Sequence, residues 1–332
     1  MKVLLTGASG FIGSFLTLKL IDEGHHVIGI DNFSDYYSIE LKEERVNNVL
    51  RVHNEAEILN VDLNDKQRLE TLFEKNDFEA IIHLAAQAGV RLPARNYVDS
   101  NISGFLNLLD LVRKYSIRNF LFASSSSVYG NSKSLPYRED DKQLLPTSFY
   151  GLTKKLNEEY VEMCHRNFPS KMRALRFFTV YGPWGRPDMA YFRLISAALN
   201  QGKFELFGDG SIQRDFTFVT DVVDVVSKLL NELVSRNEMS FFDRVNIGGD
   251  RPLSMNYLIR EIEEQTKSKI NLIKSSENVS DSRVTAASRQ YLTSLIGEVE
   301  YVRLEDGIAE TVNWANSSGV RSKLVSWVQS SK

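Results

Sequence analysis

The amino-acid sequence predicts an α/β protein: a Rossmann-type, doubly wound parallel sheet followed by a smaller mixed substrate-binding domain. Three observations support this fold class: short apolar runs, helical stretches between them, and a glycine-rich turn after the first run. The apolar runs are rich in Val, Ile, Leu and Phe, as expected for strands that are buried on both faces of a sheet. They occupy residues 2–7, 26–31, 56–62, 80–86 and 119–125.

Stretches with helical periodicity lie between these runs, at residues 11–24, 65–76 and 101–116. Because strand and helix alternate, right-handed crossovers should build a parallel sheet with helices on both faces. A further strand at 172–180 fits the same sheet, and the pattern loosens after it. We therefore expect a dinucleotide-binding domain over residues 1–175 and a second domain over residues 176–332, with chain crossings between them.

The composition is that of an ordinary globular chain: 332 residues, 42% hydrophobic and 25% charged, with a formal net charge of -3. The lack of a strongly basic block argues against nucleic acid or a membrane surface as a partner. Cys164 is the only cysteine and the histidines show no metal-ligand spacing, so we expect neither a disulfide nor a metal site. The sequence has no signal peptide and no apolar span of about 18 residues, which predicts a cytoplasmic protein.

Gly7, Gly10 and Gly13 lie between the first strand and the first helix with G-x-x-G-x-x-G spacing. Glycine lets the backbone turn sharply and approach a pyrophosphate, which binds at the helix N-terminus. Asp31 closes the next strand, where a carboxylate hydrogen-bonds the adenosine ribose hydroxyls and repels a 2′-phosphate, so NAD is favoured over NADP. Asp62, which follows the third strand, is expected near the adenine. The remaining cofactor contacts are expected at Phe11, Ile12, Asn32, Leu63, Ala85, Gln87, Tyr150 and Lys154.

Tyr150 and Lys154 are four residues apart in a helical stretch at 148–163, so their side chains share one helix face. A free tyrosine has a pKa near ~10, too high for a base at neutral pH. A neighbouring ammonium and the positive nicotinamide both favour the phenolate, which makes Tyr150 the candidate general base. Four serines, Ser124 to Ser127, end a strand that faces the ligand crevice, and a hydroxyl there can bridge substrate and tyrosine. The candidate catalytic residues are therefore Tyr150, Lys154 and one hydroxyl of this serine run.

The segment "YGPWGRPDMA" at 181–190 contains two glycines, two prolines and a lone arginine. Neither a helix nor a strand suits that mixture, whereas Gly and Pro would shape a tight loop. Arg186 would stand on this loop, and its planar guanidinium suits either a carboxylate or a phosphate.

Taken together, these motifs resemble the extended short-chain dehydrogenase/reductase superfamily, whose members rework nucleotide sugars. The resemblance rests on the glycine triplet, Asp31, "SSSSVYG" at 124–130, "YGLTK" at 150–154 and "RDFTFVTDVVD" at 214–224. Within the superfamily the chain is most similar to UDP-glucuronate 4-epimerases, at residues 31–45, 83–91 and 181–192.

This resemblance implies an isomerase of carbohydrate metabolism and polysaccharide biosynthesis. Such an enzyme converts UDP-glucuronate to UDP-galacturonate through a 4-keto intermediate, with tightly bound NAD. Tyr150 would take the proton of the sugar 4-hydroxyl, Ser125 would align that hydroxyl, and Lys154 would hold the cofactor ribose. The resemblance also implies a homodimer that pairs the helical segments near 97–116 and 148–168. The substrate contacts that it implies are Ser125, Ser126, Ser127 and Thr179, with Arg186 at the sugar carboxylate and Arg214 at the diphosphate.

Three other activities stay open on the sequence. A 4-epimerase of neutral UDP-hexoses or UDP-N-acetylhexosamines would use Arg186 for phosphate. A nucleotide-sugar decarboxylase or dehydratase is disfavoured, because such relatives carry an acid where this chain has Ser126 and Ser127. A non-catalytic NAD-binding regulator would not need Tyr150 and Lys154.

The chain departs from the family pattern late in the sequence. Asp281 and Thr285 keep the register of a nucleotide-binding stretch, whereas Ser280 and Ala287 stand where relatives carry a glycine and an aspartate. Arg91 is a further candidate, either for a contact to the substrate or for an ion pair in its loop.

Overall fold

The computed structural model describes residues 1–90, 92–249, 251–276 and 282–331. Arg91, Ser280 and Asp281 lie outside the described residues. The strands are β1 (Lys2–Thr6), β2 (His26–Asp31), β3 (Glu57–Asn60), β4 (Ala80–His83), β5 (Asn119–Ser125), β6 (Lys171–Phe177), β7 (Thr179–Tyr181), β8 (Lys203–Phe207), β9 (Gln213–Phe218), β10 (Phe241–Ile247), β11 (Pro252–Ser254) and β12 (Asn271–Ser275).

The helices alternate with the strands in the first half of the chain and dominate the end of it. They are α1 (Phe11–Asp22), α2 (Ile39–Val52), α3 (Lys66–Glu74), α4 (Arg95–Tyr97), α5 (Gly104–Lys114), α6 (Phe149–Cys164), α7 (Ala190–Leu199), α8 (Val219–Ser235), α9 (Met255–Thr266), α10 (Gln290–Ile296), α11 (Leu304–Ala315), α12 (Ser318–Arg321) and α13 (Leu324–Gln329). A π-helical turn at Val98–Ser103 joins α4 to α5, and a short 3-10 helix at Ser126–Tyr129 follows β5.

A seven-stranded sheet in the order β10-β6-β5-β4-β1-β2-β3 forms the centre of the molecule. Every pairing in it is parallel, which confirms the predicted doubly wound α/β fold. Residues of β1 alternate between the two faces, with Val3 and Leu5 in one apolar cluster and Leu4 in the other. The first cluster is covered by α1 and α8, and the second by α3, α5 and α6.

The sheet differs from the sequence-based expectation at both of its edges. Strand β3 is half exposed rather than buried on both faces, because it has a neighbour on one side only. Strand β10 lies at the opposite edge, although residues 241–247 come long after the rest of the sheet. The division of the chain at residue 175 stays a prediction; in the structure, α8 and β10 of the later segment complete the large sheet layer.

A separate apolar cluster lies beyond the carboxyl ends of the sheet, built from α7, α9, α11 and α13 with Phe204 and Leu206 of β8. Two small sheets support it: β9 pairs with β7 in parallel and with β11 antiparallel, and β8 pairs with β12 in parallel. This second layer faces the edge of the sheet at which parallel α/β proteins bind ligands. Within the described ranges, every helix is too short or too polar to cross a bilayer.

Candidate active site

One cavity of about 1030 Å³ lies between the carboxyl ends of the large sheet and the second layer. Within the described ranges, the residues that the sequence predicts for cofactor, catalysis or substrate all line this cavity. They are Gly7, Gly10, Phe11, Ile12, Gly13, Asp31, Asn32, Asp62, Leu63, Ala85, Gln87, Ser125, Ser126, Ser127, Tyr150, Lys154, Thr179, Arg186 and Arg214. The fold therefore brings the two predicted halves of the site into one space.

The glycine turn between β1 and α1 is packed so closely that two of its glycines admit no side chain. Gly7 has φ +77, and a Cβ there would lie 2.7 Å from the backbone nitrogen of Ala85. A Cβ on Gly13 would lie 2.0 Å from the carbonyl oxygen of Gly7. Helix α1 begins after Gly10 without a side-chain cap, so its first N–H groups are left to bind an acceptor such as a phosphate. These features fit a dinucleotide pyrophosphate.

Acidic side chains line the neighbouring end of the cavity. The carboxylate of Asp31 accepts hydrogen bonds from the backbone N–H of Ser9 at 3.3 Å and of Phe33 at 2.8 Å. The side-chain amide of Asn32 donates to Asp62 at 2.8 Å. These bonds hold both carboxylates in place at the carboxyl ends of β2 and β3, where an adenosine ribose and adenine fit.

Lys154 is buried on α6, and its ammonium donates to the carbonyl oxygen of Ala123 at 2.8 Å. Burial lowers the pKa of Lys154 to about 8, against the opposing effect of the Glu158 carboxylate. The Nζ atom lies 5.9 Å from the centre of the Tyr150 ring, so the predicted pair does share one face of α6.

The side chain of Ser125 lies near the phenol of Tyr150. Burial raises the pKa of Tyr150, and the groups that oppose this rise are Arg186, through its charge, and the side chain of Ser125. This differs from the expectation that Lys154 lowers the tyrosine pKa. The physical reason is that the protein around the phenol withdraws it from water more than the nearby cations compensate.

Glu158, one helical turn after Lys154, binds groups from three strands beside the candidate catalytic residues. Its carboxylate accepts two hydrogen bonds from Arg176 of β6, at 2.9 and 2.6 Å, and one from Arg244 of β10 at 3.1 Å. It also accepts a hydrogen bond from the hydroxyl of Ser124, the residue before Ser125. Both Glu158 and Arg176 are almost fully buried, so this network fixes the end of β5 against α6. Sequence reasoning missed it, although Glu158 has the same four-residue spacing from Lys154 that links Lys154 to Tyr150.

Arg186 stands on the loop 181–190 as predicted, but its guanidinium is already held by a carboxylate of the protein. Its Nε atom donates to Asp188 Oδ1 at 3.0 Å, and Nη2 donates to Oδ2 of the same residue. The hydroxyl of Tyr36 donates to Asp188 at 3.2 Å. Burial favours the neutral acid, yet the charge and hydrogen bonds of Arg186 lower the pKa of Asp188, which stays ionised. Three N–H groups of the guanidinium are not used by Asp188 and suit a further anion.

Arg214 also lines the cavity, and its Nη1 atom donates to the carbonyl oxygens of Gln213 at 2.9 Å and Ser282 at 2.7 Å. Thr285 lines the cavity as well. At Ala287, where relatives carry an aspartate, the backbone N–H donates to the Asp215 carboxylate at 2.8 Å. This hydrogen bond does not need a polar side chain at position 287.

Within the described residues, no three or more His, Cys, Asp or Glu side chains group as metal ligands.

Comparison with known proteins places this architecture among sugar-nucleotide enzymes. The model of the NAD dependent epimerase/dehydratase family matches residues 3–248. A UDP-glucuronate 4-epimerase of Thermodesulfobacterium geofontis is 36% identical over 319 residues, covering 95% of this chain and 96% of the relative.

Solved structures of nucleotide-sugar epimerases are also similar to this chain. The UDP-glucuronic acid 4-epimerase from Bacillus cereus, in complex with UDP-glucuronic acid and NAD, has a TM-score of 0.85 and 30% identity, covering 95% of this chain and 98% of that chain. A UDP-glucose 4-epimerase from Thermotoga maritima with UDP-glucose has a TM-score of 0.83 and 29% identity, covering 95% and 98%. The chain belongs to the NAD dependent epimerase/dehydratase family.

Proposed function

We propose that the protein is an NAD-dependent 4-epimerase of UDP-glucuronate, which it interconverts with UDP-galacturonate through a 4-keto sugar. The observation that carries this proposal is the position of Arg186, which lines the same cavity as Tyr150 and acts on the tyrosine through its charge. A sugar whose C4 hydroxyl lies at Tyr150 has its C5 carboxylate on an adjacent carbon. An anion-binding residue near the phenol therefore suits a uronate better than a neutral hexose.

In this proposal Tyr150 accepts the proton of the sugar 4-hydroxyl and later returns it. Ser125 bridges phenol and hydroxyl, and Arg186 favours the phenolate that forms. NAD, when bound, supplies the acceptor and donor of the C4 hydride. The groups that would hold it are the glycine turn, Asp31, Asp62 and the Lys154 ammonium.

A 4-keto uronate is a β-keto acid and loses CO2 readily, so an epimerase must suppress that reaction. Arg186, Thr179 and the serines Ser126 and Ser127 line the cavity and would bind the carboxylate. Such bonds can hold the carboxylate away from the orientation in which the breaking bond overlaps the ketone π system.

The first test is conversion by the purified protein without added cofactor. UDP-glucuronate, UDP-glucose and UDP-N-acetylglucosamine are supplied in parallel, and products are separated by anion exchange and identified by proton NMR. We expect UDP-galacturonate from UDP-glucuronate and little conversion of the neutral sugars. Turnover of the neutral sugars alone would assign Arg186 to phosphate and would match the substrate of the Thermotoga maritima UDP-glucose 4-epimerase.

Replacing Arg186 by alanine should change the products as well as the rate. We expect the Michaelis constant for UDP-glucuronate to rise about tenfold or more and the share of pentose product to rise, because the carboxylate loses a bidentate donor. Arg303→Ala is the matched control, since Arg303 also pairs with an aspartate, Asp306, but is exposed. An Arg186→Ala enzyme with the wild-type product ratio would refute the carboxylate role.

The affinity for NAD should fall as the pH rises above about 8. Burial lowers the pKa of Lys154 to about 8, so in the cofactor-free chain this side chain loses its proton and its positive charge in that range. If the ammonium donates to the cofactor ribose, the complex keeps the proton, and NAD binding takes up a proton above pH 8. The affinity then falls by up to about tenfold per pH unit.

Calorimetric titration of cofactor-free protein with NAD, at several pH values, measures this dependence. The Lys154→Met variant should bind NAD more weakly than wild type, and its affinity should not change with pH over the same range. Lys155→Met removes the adjacent lysine, which donates to Leu144, and should keep the wild-type slope. A slope that survives in Lys154→Met would assign the titration to another group.

We also propose that the protein is a cytoplasmic homodimer that pairs through α6. Apolar side chains are exposed along one stripe of this helix, at Leu152, Leu156, Tyr160 and Met163. Their spacing of three or four residues gives a continuous apolar face, which suits a symmetric helix–helix contact.

Sedimentation velocity at micromolar concentration should give twice the chain mass. Leu156→Asp should shift the protein to monomer, because it places a charge in the contact. Met239→Asp alters a still more exposed apolar residue outside α6 and should leave the dimer intact. A wild-type monomer, or equal dissociation by both variants, would exclude α6 as the contact.

A further inference from the structure

Arg45 of α2 is a buried arginine whose hydrogen bonds join two loops of the site. Only 1% of its surface is exposed. Its Nε and Nη2 atoms donate to the consecutive carbonyl oxygens of Trp184 at 2.8 Å and Gly185 at 2.9 Å. Its Nη1 atom donates to the carbonyl oxygen of Ser9 at 3.2 Å and to the hydroxyl of Tyr37 at 2.6 Å.

Both loops that Arg45 joins carry residues of the candidate site. Ser9 precedes Gly10, after which α1 presents its first N–H groups to the cavity. Trp184 and Gly185 precede Arg186. One edge of the guanidinium thus holds the loop of the carboxylate-binding residue, and the other edge holds the cofactor turn.

The loop at 184–185 has a conformation that needs such support. Trp184 has φ +60, a left-handed backbone that costs energy in a residue with a side chain. Gly185 admits no side chain, since a Cβ there would lie 1.6 Å from the Tyr191 hydroxyl. The carbonyl oxygens of Trp184 and Gly185 belong to this strained segment, and both accept hydrogen bonds from Arg45.

A buried guanidinium is costly to desolvate, but a hydrophobic side chain in its place would leave the carbonyl oxygens of Trp184, Gly185 and Ser9 without this donor. Lysine could not replace the arginine, because a single ammonium lacks the two edges that reach two loops at once. The geometry therefore indicates a role beyond packing.

We propose that Arg45 is a positioning residue: it fixes the loop 184–186 to the glycine turn and so sets where Arg186 meets the sugar carboxylate. The proposal rests on the proposed uronate function. It assigns to α2 part of the specificity for the sugar, although Arg45 does not line the cavity itself.

The test compares wild type with Arg45→Met, Arg45→Lys and the control Arg51→Met. Arg51 lies on the same helix but is exposed and donates to Asn48. NAD content, the inhibition constant of UDP, the Michaelis constant for UDP-glucuronate and the share of pentose product are measured for each. Hydrogen exchange of peptides that cover 181–190 is measured on the same samples.

For Arg45→Met we expect NAD content and UDP inhibition within about twofold of wild type, but a Michaelis constant for UDP-glucuronate about tenfold higher and more pentose. A displacement of about 1 Å in a positioned group can cost as much as a hundredfold, so tenfold is a modest expectation. Exchange at 181–190 should rise. Arg45→Lys should fall between wild type and Arg45→Met, and Arg51→Met should match wild type.

A merely structural role would lower stability and total activity but leave the Michaelis constant and product ratio unchanged, and that result overturns the proposal. Unchanged exchange at 181–190 overturns it as well, whatever the substrate is. If Arg45→Met does not fold, Arg45→Lys decides by the same measurements. Failure of the wild-type enzyme to convert UDP-glucuronate would instead refute the proposed function, which the exchange measurement does not depend on.

Discussion

The carboxylate of Glu158 is bound from three directions, by Arg176 and Arg244 through their guanidinium groups and by Ser124 through its hydroxyl. These partners come from β6, β10 and β5, whereas Glu158 itself belongs to the helix that carries Tyr150 and Lys154. The distance between Ser125 and Tyr150 therefore depends on one buried ion network. The charge of Glu158 also raises the pKa of Lys154 and offsets part of the burial effect. A buried pair of this kind is a poor source of net stability, but it specifies a single arrangement of the groups around it.

The cavity is lined by both acidic and cationic side chains. Asp31 and Asp62 lie at the carboxyl ends of β2 and β3, and the cations that line the cavity include Lys42, Lys154, Arg186 and Arg214. These cations suit a ligand that carries anionic groups. Asp188 moderates the positive charge, because its ionised carboxylate neutralises part of the Arg186 charge before any substrate binds.

Much of this could be predicted from the sequence, where spacing along the chain determines position. The glycine turn, Asp31 and the Tyr150–Lys154 pair each follow from a local pattern within one βα unit or one helix turn, and all of them line the cavity. Asp188 and Arg45 could not be predicted, because nothing local distinguishes a loop aspartate or a helix arginine from a solvated one. The raised pKa of Tyr150 was also inaccessible, since it depends on burial by elements from the whole chain. Strand β10 was missed for a related reason: its partner β6 lies about seventy residues earlier.

The late position of β10 has a consequence for how the protein is made. During synthesis β6 is an open edge of the sheet, with unpaired N–H and C=O groups, until residue 247 has left the ribosome. The buried charge of Arg173 also waits for one of its partners, since Asp243 arrives with the same segment. The part of the chain before β10 can then not reach its final packing before β10 is present. A chain that ended anywhere between β6 and β10 would lack the edge strand of the central sheet.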